Sequence, residues 1–384
     1  MNLTSNWNYP TAVRFGPGRI SELADACTAA GMKNPLLVTD PGLAGLPMIA
    51  QMVRILEDAG LSTAVYSDVR PNPVEANVTG GVAAFRAGGH DGVVAVGGGS
   101  ALDAGKCVAF MVPQTRPIWD FEDVGDWWTR ADPDFAPIIA VPTTAGTGSE
   151  VGRAGVVTNE ETHTKKVIFH PNMMPKTVIC DPELTIGLPP TLTAGTGMDA
   201  LAHCLEAYCA PGYHPMGDGI GAEGVRLCKE YLPRAVAKGD DIEARANMMA
   251  AAAMGATAFQ KGLGAIHSLS HPVGALYDTH HGLTNAVFMP YVLVANRAAI
   301  EDRIVRLAAY CGLEPTFDAF LKWILDLRKE IGIPHTIAEL GIDDSKADLI
   351  AEMAIVDPTA GGNPTAVTKE LALEVFSKAL KGEL

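Results

Sequence analysis

Positive charge is scarce in this chain of 384 residues: 29 Lys and Arg stand against 44 Asp and Glu, a formal net charge of −15 at pH 7. So acidic a surface repels phosphate backbones and anionic headgroups, which argues against nucleic acid and membrane surfaces as partners. No uninterrupted apolar run approaches the length of a membrane span, and the N-terminus does not read as a charged-then-apolar leader, so neither a span nor a signal peptide is expected. The seven Cys are odd in number and contain no C-x-x-C, which fits reduced thiols better than a disulfide framework. Internal repeats and low-complexity linkers are missing as well. These absences together predict a cytoplasmic protein.

What is present is enough to build two cores. Apolar residues make up 48% and charged residues 19% of a chain too long for one ordinary domain. From Pro35 the pattern alternates strand and helix: "PLLVT" at 35–39, a helical period over 46–59, "STAVYS" at 62–67, a second helical period over 74–87 and "GVVAV" at 92–96, with a helix from Ala101 to about Met111. Such alternation predicts a parallel, doubly wound α/β sheet. "APIIAV" at 136–141 adds a strand, and 154–158, 165–169 and 177–180 read as shorter ones. The stretch 113–135, with Trp119, Trp127 and Trp128 among acids, reads as a long packed loop. Beyond "CDPELTIGLPP" the chain turns rich in Ala, Leu, Met and Glu, with helical periods at 195–210, 217–236, 241–259, 264–278, 283–298, 299–311, 314–330 and 367–380. The expected division is therefore an α/β domain over 1–183 and an all-α domain over 184–384.

The helical half carries a metal-binding pattern. Asp199 and His203 stand four apart in "GMDALAHC", so both leave one helix face. His267 and His271 repeat that spacing in "HSLSHPVGALYDTHHG", and His281 follows just before a glycine, with His280 beside it as an alternative that spacing does not separate. One carboxylate with three or four imidazoles suits a borderline divalent cation, iron(II) or zinc.

The α/β half carries glycine-rich loops instead. Gly97, Gly98, Gly99 and Ser100 stand where a strand gives way to a helix, a place where free backbone N–H groups favour a phosphate. They do not spell G-x-G-x-x-G. "PTTAGTGSE" at 142–150 is a second such loop, with hydroxyls at Thr143, Thr144 and Thr147, and two loops of this kind at strand ends make a dinucleotide site. Asp40, ending the first strand of the series, is placed to bind a ribose diol and repel a 2′-phosphate, which predicts NAD over NADP; it also opens a "DPG" turn. Lys165 and Lys166 are further candidates for a ribose or phosphate.

These motifs together resemble the iron-containing (group III) alcohol dehydrogenases from end to end: "GGGSALDAGK" (97–106), "PTTAGTGSE" (142–150), "DPELT" (181–185), "GMDALAHCLEAY" (197–208) and "HSLSHPVGALYDTHHG" (267–282). The resemblance implies that family's fold, which is shared with dehydroquinate synthase-type lyases, and NAD-dependent hydride transfer on a small primary alcohol or aldehyde. It implies Asp199, His203, His267 and His281 as ligands of Fe2+ or Zn2+, with His271 beside the nicotinamide as a proton-relay or positioning residue. Cofactor contacts would fall on Asp40, Asn72, Gly97 to Ser100, Thr143, Thr144, Thr147 and Lys165. Family members are commonly dimers or larger. Polyol oxidation of the glycerol dehydrogenase kind, and a nucleotide-binding protein with an idle metal site, are the alternatives.

Two departures bear on substrate. The chain reads Gly152-Arg153-Ala154 after "TTAGTGSEV", and "FQKGLG" with Lys261 before His267. Both resemble the branch that contains 4-hydroxybutyrate dehydrogenases. Arg153 and Lys261 are thus expected either to hold the carboxylate of an ω-hydroxy acid or to pair with acidic residues between the domains. In the closing stretch "DPTAGGNPTAV", Thr365 stands where an Arg is frequent, and Thr359 where some relatives place a Cys at the substrate pocket.

Overall fold

The computed structural model describes residues 11–162 and 164–384. They divide into two compact units, one running to Thr144 and again from Gly148 to Ile186, the other comprising Ala145–Thr147 and Gly187–Leu384.

The first unit is built from β1 (Ala12–Phe15), α1 (Leu23–Ala29), β2 (Pro35–Val38), α2 (Pro41–Ala44), α3 (Pro47–Asp58), β3 (Ala64–Tyr66), α4 (Glu75–Ala87), β4 (Gly92–Gly97), α5 (Gly99–Met111), β5 (Ile138–Pro142), β6 (Ala154–Asn159), β7 (Thr164–Phe169) and β8 (Thr177–Cys180). Six strands make one parallel sheet in the order β1-β8-β5-β4-β2-β3. Every residue of β2, β4 and β5 is buried, as strands covered by helices on both faces require. The chain runs outward from β2 to β3 and then returns to the other side of β2 with β4, so the strand order reverses between β2 and β4. At such a reversal the connections leave the strand ends in opposite directions and open a crevice for ligand.

Strands β6 and β7 take no part in that sheet. They form an antiparallel hairpin, with Thr158 opposite Lys165, whose mostly half-buried residues differ from the continuous buried runs of β2, β4 and β5. Strand β1 and helix α1 precede the stretch in which alternation is legible. The loop over 113–135 is packed: Ile118 and Phe121 are buried, the Gln114 side chain exchanges hydrogen bonds with the Asp132 backbone, and Trp119 donates to Glu75 at 2.9 Å.

The second unit is helical: α6 (Pro190–Cys209), α7 (Pro215–Ala237), α8 (Ile242–Ala258), α9 (Ala265–Tyr277), α10 (His281–Tyr310), α11 (Phe317–Glu330), α12 (Ala347–Ile355) and α13 (Lys369–Lys381). The two periods expected at 283–298 and 299–311 are one 30-residue helix, because nothing in Asn296-Arg297-Ala298-Ala299 stops it. Helix α12 has no counterpart among the helical periods expected from the sequence. Met248, Met249, Ala251 and Ala252 of α8 are buried side chains of a closely packed core. All seven cysteines are buried and unbonded to one another. No helix among the described residues is long and apolar enough to cross a membrane.

Candidate functional site

Three helices of the second unit bring the metal-type side chains together. Helix α6 presents Asp199 and His203 one turn apart, α9 presents His267, and α10 begins at His281. Asp199 Oδ1 is the common point: it lies 3.8 Å from His203 Nε2, 3.7 Å from His267 Nε2 and 3.5 Å from His281 Nε2. Four ligands at about 2.1 Å around a tetrahedral ion stand about 3.4 Å from one another; the three distances to Asp199 are close to that spacing, and the ligand atoms of Asp199, His203 and His267 all lie within 4.8 Å of one another, a group that could hold a metal ion. Asp199, His203 and His267 are each at least 95% buried. His280 does different work, its Nδ1 accepting the Leu283 N–H at 3.3 Å as the N-cap of α10.

The buried charges of this cluster act strongly on one another. Burial by itself would raise the Asp199 carboxyl, but the facing imidazoles of His203, His281 and His267 outweigh it and hold that carboxyl well below the usual range. Burial pushes His203 down to about 4, which leaves a neutral imidazole with a lone pair to offer.

Around these four stand residues that sequence reasoning did not single out. Asn285, one turn after His281, donates through Nδ2 to Asp199 Oδ1 at 2.8 Å and lies 3.2 and 3.1 Å from Nε2 of His267 and His281. Glu206 Oε2 stands 2.5 Å from His267 Nδ1. Asp357 Oδ2 stands 2.9 Å from His271 Nδ1. Asp199, His203 and Glu206 recur at i, i+4 and i+7, so one helix face was a usable signal for Glu206. Asp357 is 86 residues from its partner and left none.

His271 is not among the atoms that face Asp199. Its ring stacks on His281, with centroids 5.3 Å apart, and it is anchored from behind by Asp357. That carboxylate is itself held by the Thr359 N–H and hydroxyl, so Thr359 serves the histidine's support. Despite burial, His271 keeps the Asp357 carboxyl below its ordinary value.

In the first unit the loop residues collect at the strand reversal. Asp40 follows β2, and its Oδ1 caps α2 by accepting the Leu43 N–H at 3.0 Å, while Oδ2 turns toward Gly97. Gly97 ends β4 at φ 143°, a conformation open to glycine, and a Cβ there would meet Ala101 at 2.7 Å. Its carbonyl accepts the Thr143 N–H at 3.0 Å, and Thr144 lies against Gly98. Helix α5 starts from Gly98 with no side-chain cap, so its first N–H groups point out of the Gly97–Ser100 turn. The Ser100 hydroxyl is turned to the Pro71 carbonyl, next to Asn72, and Pro73 joins Thr158 opposite Lys165 on the hairpin. Asp40, Gly97 to Ser100, Thr143 and Thr144 thus lie together where β2, β4 and β5 end, with Asn72 and Lys165 reached by successive contacts from Ser100. Thr147 falls in the short segment grouped with the helical unit. Lys166 is paired with Glu122 at 2.9 Å.

Farther along α5, Lys106 is buried and bonded to the carbonyls of Ser149 and Ala154, while Asp103 accepts from the Ser149 hydroxyl and the Val156 N–H. Glu150 is 2% exposed, its Oε1 has no hydrogen-bond partner among the described residues, and burial raises its carboxyl to about 7.

The two expected anion-holding cations part company. Lys261 sits with its ammonium on Asp218 of α7 at 2.5 Å and on the Tyr208 carbonyl at 3.0 Å, and its side chain is 1% exposed. Arg303 joins the same carboxylate at 2.8 Å. A lysine sealed inside the helical unit in this way forms an ion pair, the second of its two expected roles, though with an acid of its own unit and not across the domains. Arg153 makes no ion pair within 4 Å among the described residues. Its guanidinium lies 5.7 Å from the Phe169 ring centre, and its charge lowers Asp123 against the larger effect of burial.

Comparison with known proteins gives a consistent answer over nearly the whole chain. The family model described as iron-containing alcohol dehydrogenase matches residues 10–182, and that of the C-terminal part of the Fe-containing alcohol dehydrogenase family matches 193–380. A 4-hydroxybutyrate dehydrogenase of Cupriavidus necator is 39% identical over 93% of this chain and 94% of its own. A crystal structure of a 1,3-propanediol oxidoreductase superposes with TM-score 0.94 at 36% identity, covering 98% of this chain and 100% of that one. A sulfoacetaldehyde reductase of Bifidobacterium kashiwanohense, solved with NAD+, gives TM-score 0.89 at 30% identity over 98% and 99% of the two chains.

Proposed function

The chain belongs to the iron-containing alcohol dehydrogenase family, and from that premise we propose that it transfers hydride between NAD(H) and a small primary alcohol or aldehyde, with an ω-hydroxy acid such as 4-hydroxybutyrate as substrate. The observation that carries the chemistry is the gathering of three imidazole Nε2 atoms around Asp199 Oδ1 at 3.5–3.8 Å. In this reading Asp199, His203, His267 and His281 hold Fe2+, or Zn2+ in its place. The ion, when bound, supplies the Lewis acidity that makes an alcohol proton easier to lose and an aldehyde carbonyl easier to reduce.

The chain's own side chains do the rest. His271 keeps its Nδ1 proton on Asp357, which leaves Nε2 to take the alcohol proton during oxidation and return it during reduction. The N–H groups at the start of α5 and the Thr143 and Thr144 hydroxyls receive the pyrophosphate of NAD, with Thr147, Asn72 and Lys165 as further contacts. Asp40 Oδ2 accepts from the adenosine ribose and repels a 2′-phosphate, which sets NAD above NADP. Glycine at 97 lets the pyrophosphate approach the backbone.

Two supports favour an anionic substrate. The Cupriavidus relative is a 4-hydroxybutyrate dehydrogenase, and the NAD-bound relative reduces sulfoacetaldehyde, so both names denote a small molecule with a negative end. With Lys261 occupied, Arg153 is the cation we assign to that end. The test follows reduced nicotinamide by absorbance, comparing 4-hydroxybutyrate with 1-butanol in wild type and Arg153→Ala, each with iron and with zinc. A selective loss on the hydroxy acid supports the assignment; equal loss on both substrates removes it. The family likeness also favours a homodimer or larger assembly, which sedimentation reads directly, and seven buried thiols support a cytoplasmic setting.

A further inference from the structure

Helix α9 carries both His267 and His271, yet it begins without a cap of its own. Its N-cap is Gly264, which has no side chain to offer the first N–H groups. Two guests fill that role. Asn363 Oδ1 accepts the Ala265 N–H at 3.1 Å, and Glu206 Oε1 accepts the Ile266 N–H at 2.7 Å. The bare glycine is what admits them, since a Cβ on Gly264 would stand 2.8 Å from Asn363 Oδ1 and 3.0 Å from Glu206 Oε1.

Glu206 has a second oxygen, and it is spent on the imidazole one residue further along the helix. Oε2 lies 2.5 Å from His267 Nδ1, while His267 Nε2 faces Asp199 on the other side of the ring. We propose that Glu206 is the positioning residue of the metal centre: it holds the Nδ1 proton of His267, so that Nε2 is a bare lone pair aimed at the ion. The inference rests on the reading of His267 as a ligand given above. One carboxylate of α6 thereby fixes both the start of α9 and the tautomer of that helix's ligand. No carboxamide can replace it. A carboxylate offers an acceptor oxygen to each of two donors, whereas Gln has one oxygen and one NH2. In Glu206→Gln, if the oxygen stays on Ile266, the NH2 faces Nδ1, and the ring is driven to carry its proton on Nε2, the wrong atom for a ligand.

The test measures zinc affinity by competition with a chromophoric chelator, alongside the melting temperature of the metal-free protein. Wild type, Glu206→Gln and Asn363→Ala are compared; the last removes a cap bond from the same helix end and leaves the His267 contact intact. The expected result is a loss of zinc affinity of about 10–100-fold in Glu206→Gln, with Asn363→Ala lowering the melting temperature but holding affinity near the wild-type value. Wild-type affinity in Glu206→Gln overturns the proposal, as does an equal affinity loss in Asn363→Ala, which would reduce Glu206 to a helix cap. A measurement on the unaltered protein stands beside the variants: in the zinc-loaded wild type, the His267 Nδ1–H is expected well downfield in the proton spectrum, and an ordinary imidazole shift overturns the assignment. Absence of zinc uptake by wild type would sink the metal reading itself, whereas uptake with an indifferent Glu206→Gln sinks this inference alone.

Discussion

A Cβ on Gly282 would lie 2.2 Å from the carbonyl oxygen of Gly195, so α10 can approach α6 only because residue 282 is bare. The residue before it is His281, and the Asp199 Cβ is 3.2 Å from the same point. The close approach at Gly282 accompanies a His281 Nε2 that stands 3.5 Å from Asp199 Oδ1. Gly282→Ala is therefore expected to push the helices apart, at an overpacking cost of about 1–3 kcal/mol. Its zinc affinity, measured below its melting temperature, should fall more than that of an alanine placed at Gly187, where a Cβ meets nothing within 4 Å. Equal affinities would mean that the helix contact does not set the ligand geometry.

The bond between His271 and Asp357 predicts a kinetic signature. Asp357→Asn keeps the shape but can present an NH2 to Nδ1, which moves the ring proton to Nε2 and removes the acceptor the alcohol needs. Turnover should fall about tenfold or more with KM little changed, and His271→Ala should fall about 100-fold. A variant that loses only KM would place Asp357 in binding and not in proton handling.

Glu150 ties stability to pH through burial, which raises its carboxyl from 4.5 to about 7. Between those two values the native state keeps a proton that the unfolded chain releases, so stability falls as pH rises across that window and stays lower above it. The contribution is on the order of 3 kcal/mol. Glu150→Gln, neutral at every pH, should melt above wild type at pH 8 and approach it near pH 4.5. A constant difference between the two across that range would contradict the assignment.

Lys261 supplies the opposite kind of prediction. Lys261→Met leaves Asp218 with Arg303 alone and should cost about 1–3 kcal/mol. The ratio of kcat/KM for 4-hydroxybutyrate over 1-butanol should be unchanged. A collapse of that ratio would return Lys261 to the substrate.

Short spacings made much of this legible beforehand. The buried strands at 35–38, 92–97 and 138–142 announce themselves as continuous apolar runs ending in glycine, proline or threonine, and the i, i+4 pairs put Asp199 with His203 on one face. His280 against His281 is different: adjacent side chains diverge by about 100° on a helix, and which one turns inward depends on where α10 starts. The choice between the two roles of Lys261 is hidden for the same reason, because Asp218 is 43 residues away and meets it only once α7 has packed. Asp357 and Asn363 act on α9 from the far end of the chain, and no local pattern marks such pairings. The short strands expected at 154–158 and 165–169 are present as β6 and β7, but their antiparallel pairing is not legible, because a short run says nothing about its partner.

One cation held by four side chains is measured directly as metal content by mass spectrometry after iron or zinc loading, in wild type and in Asp199→Ala, His203→Ala, His267→Ala and His281→Ala, with turnover followed on the same samples. The expected result is about one ion per chain in wild type, loss of metal and of NAD-linked turnover in each variant, and loss of turnover in chelated wild type that returns with the ion. Undiminished turnover in demetallated wild type, or unchanged metal content in the four variants, would contradict it.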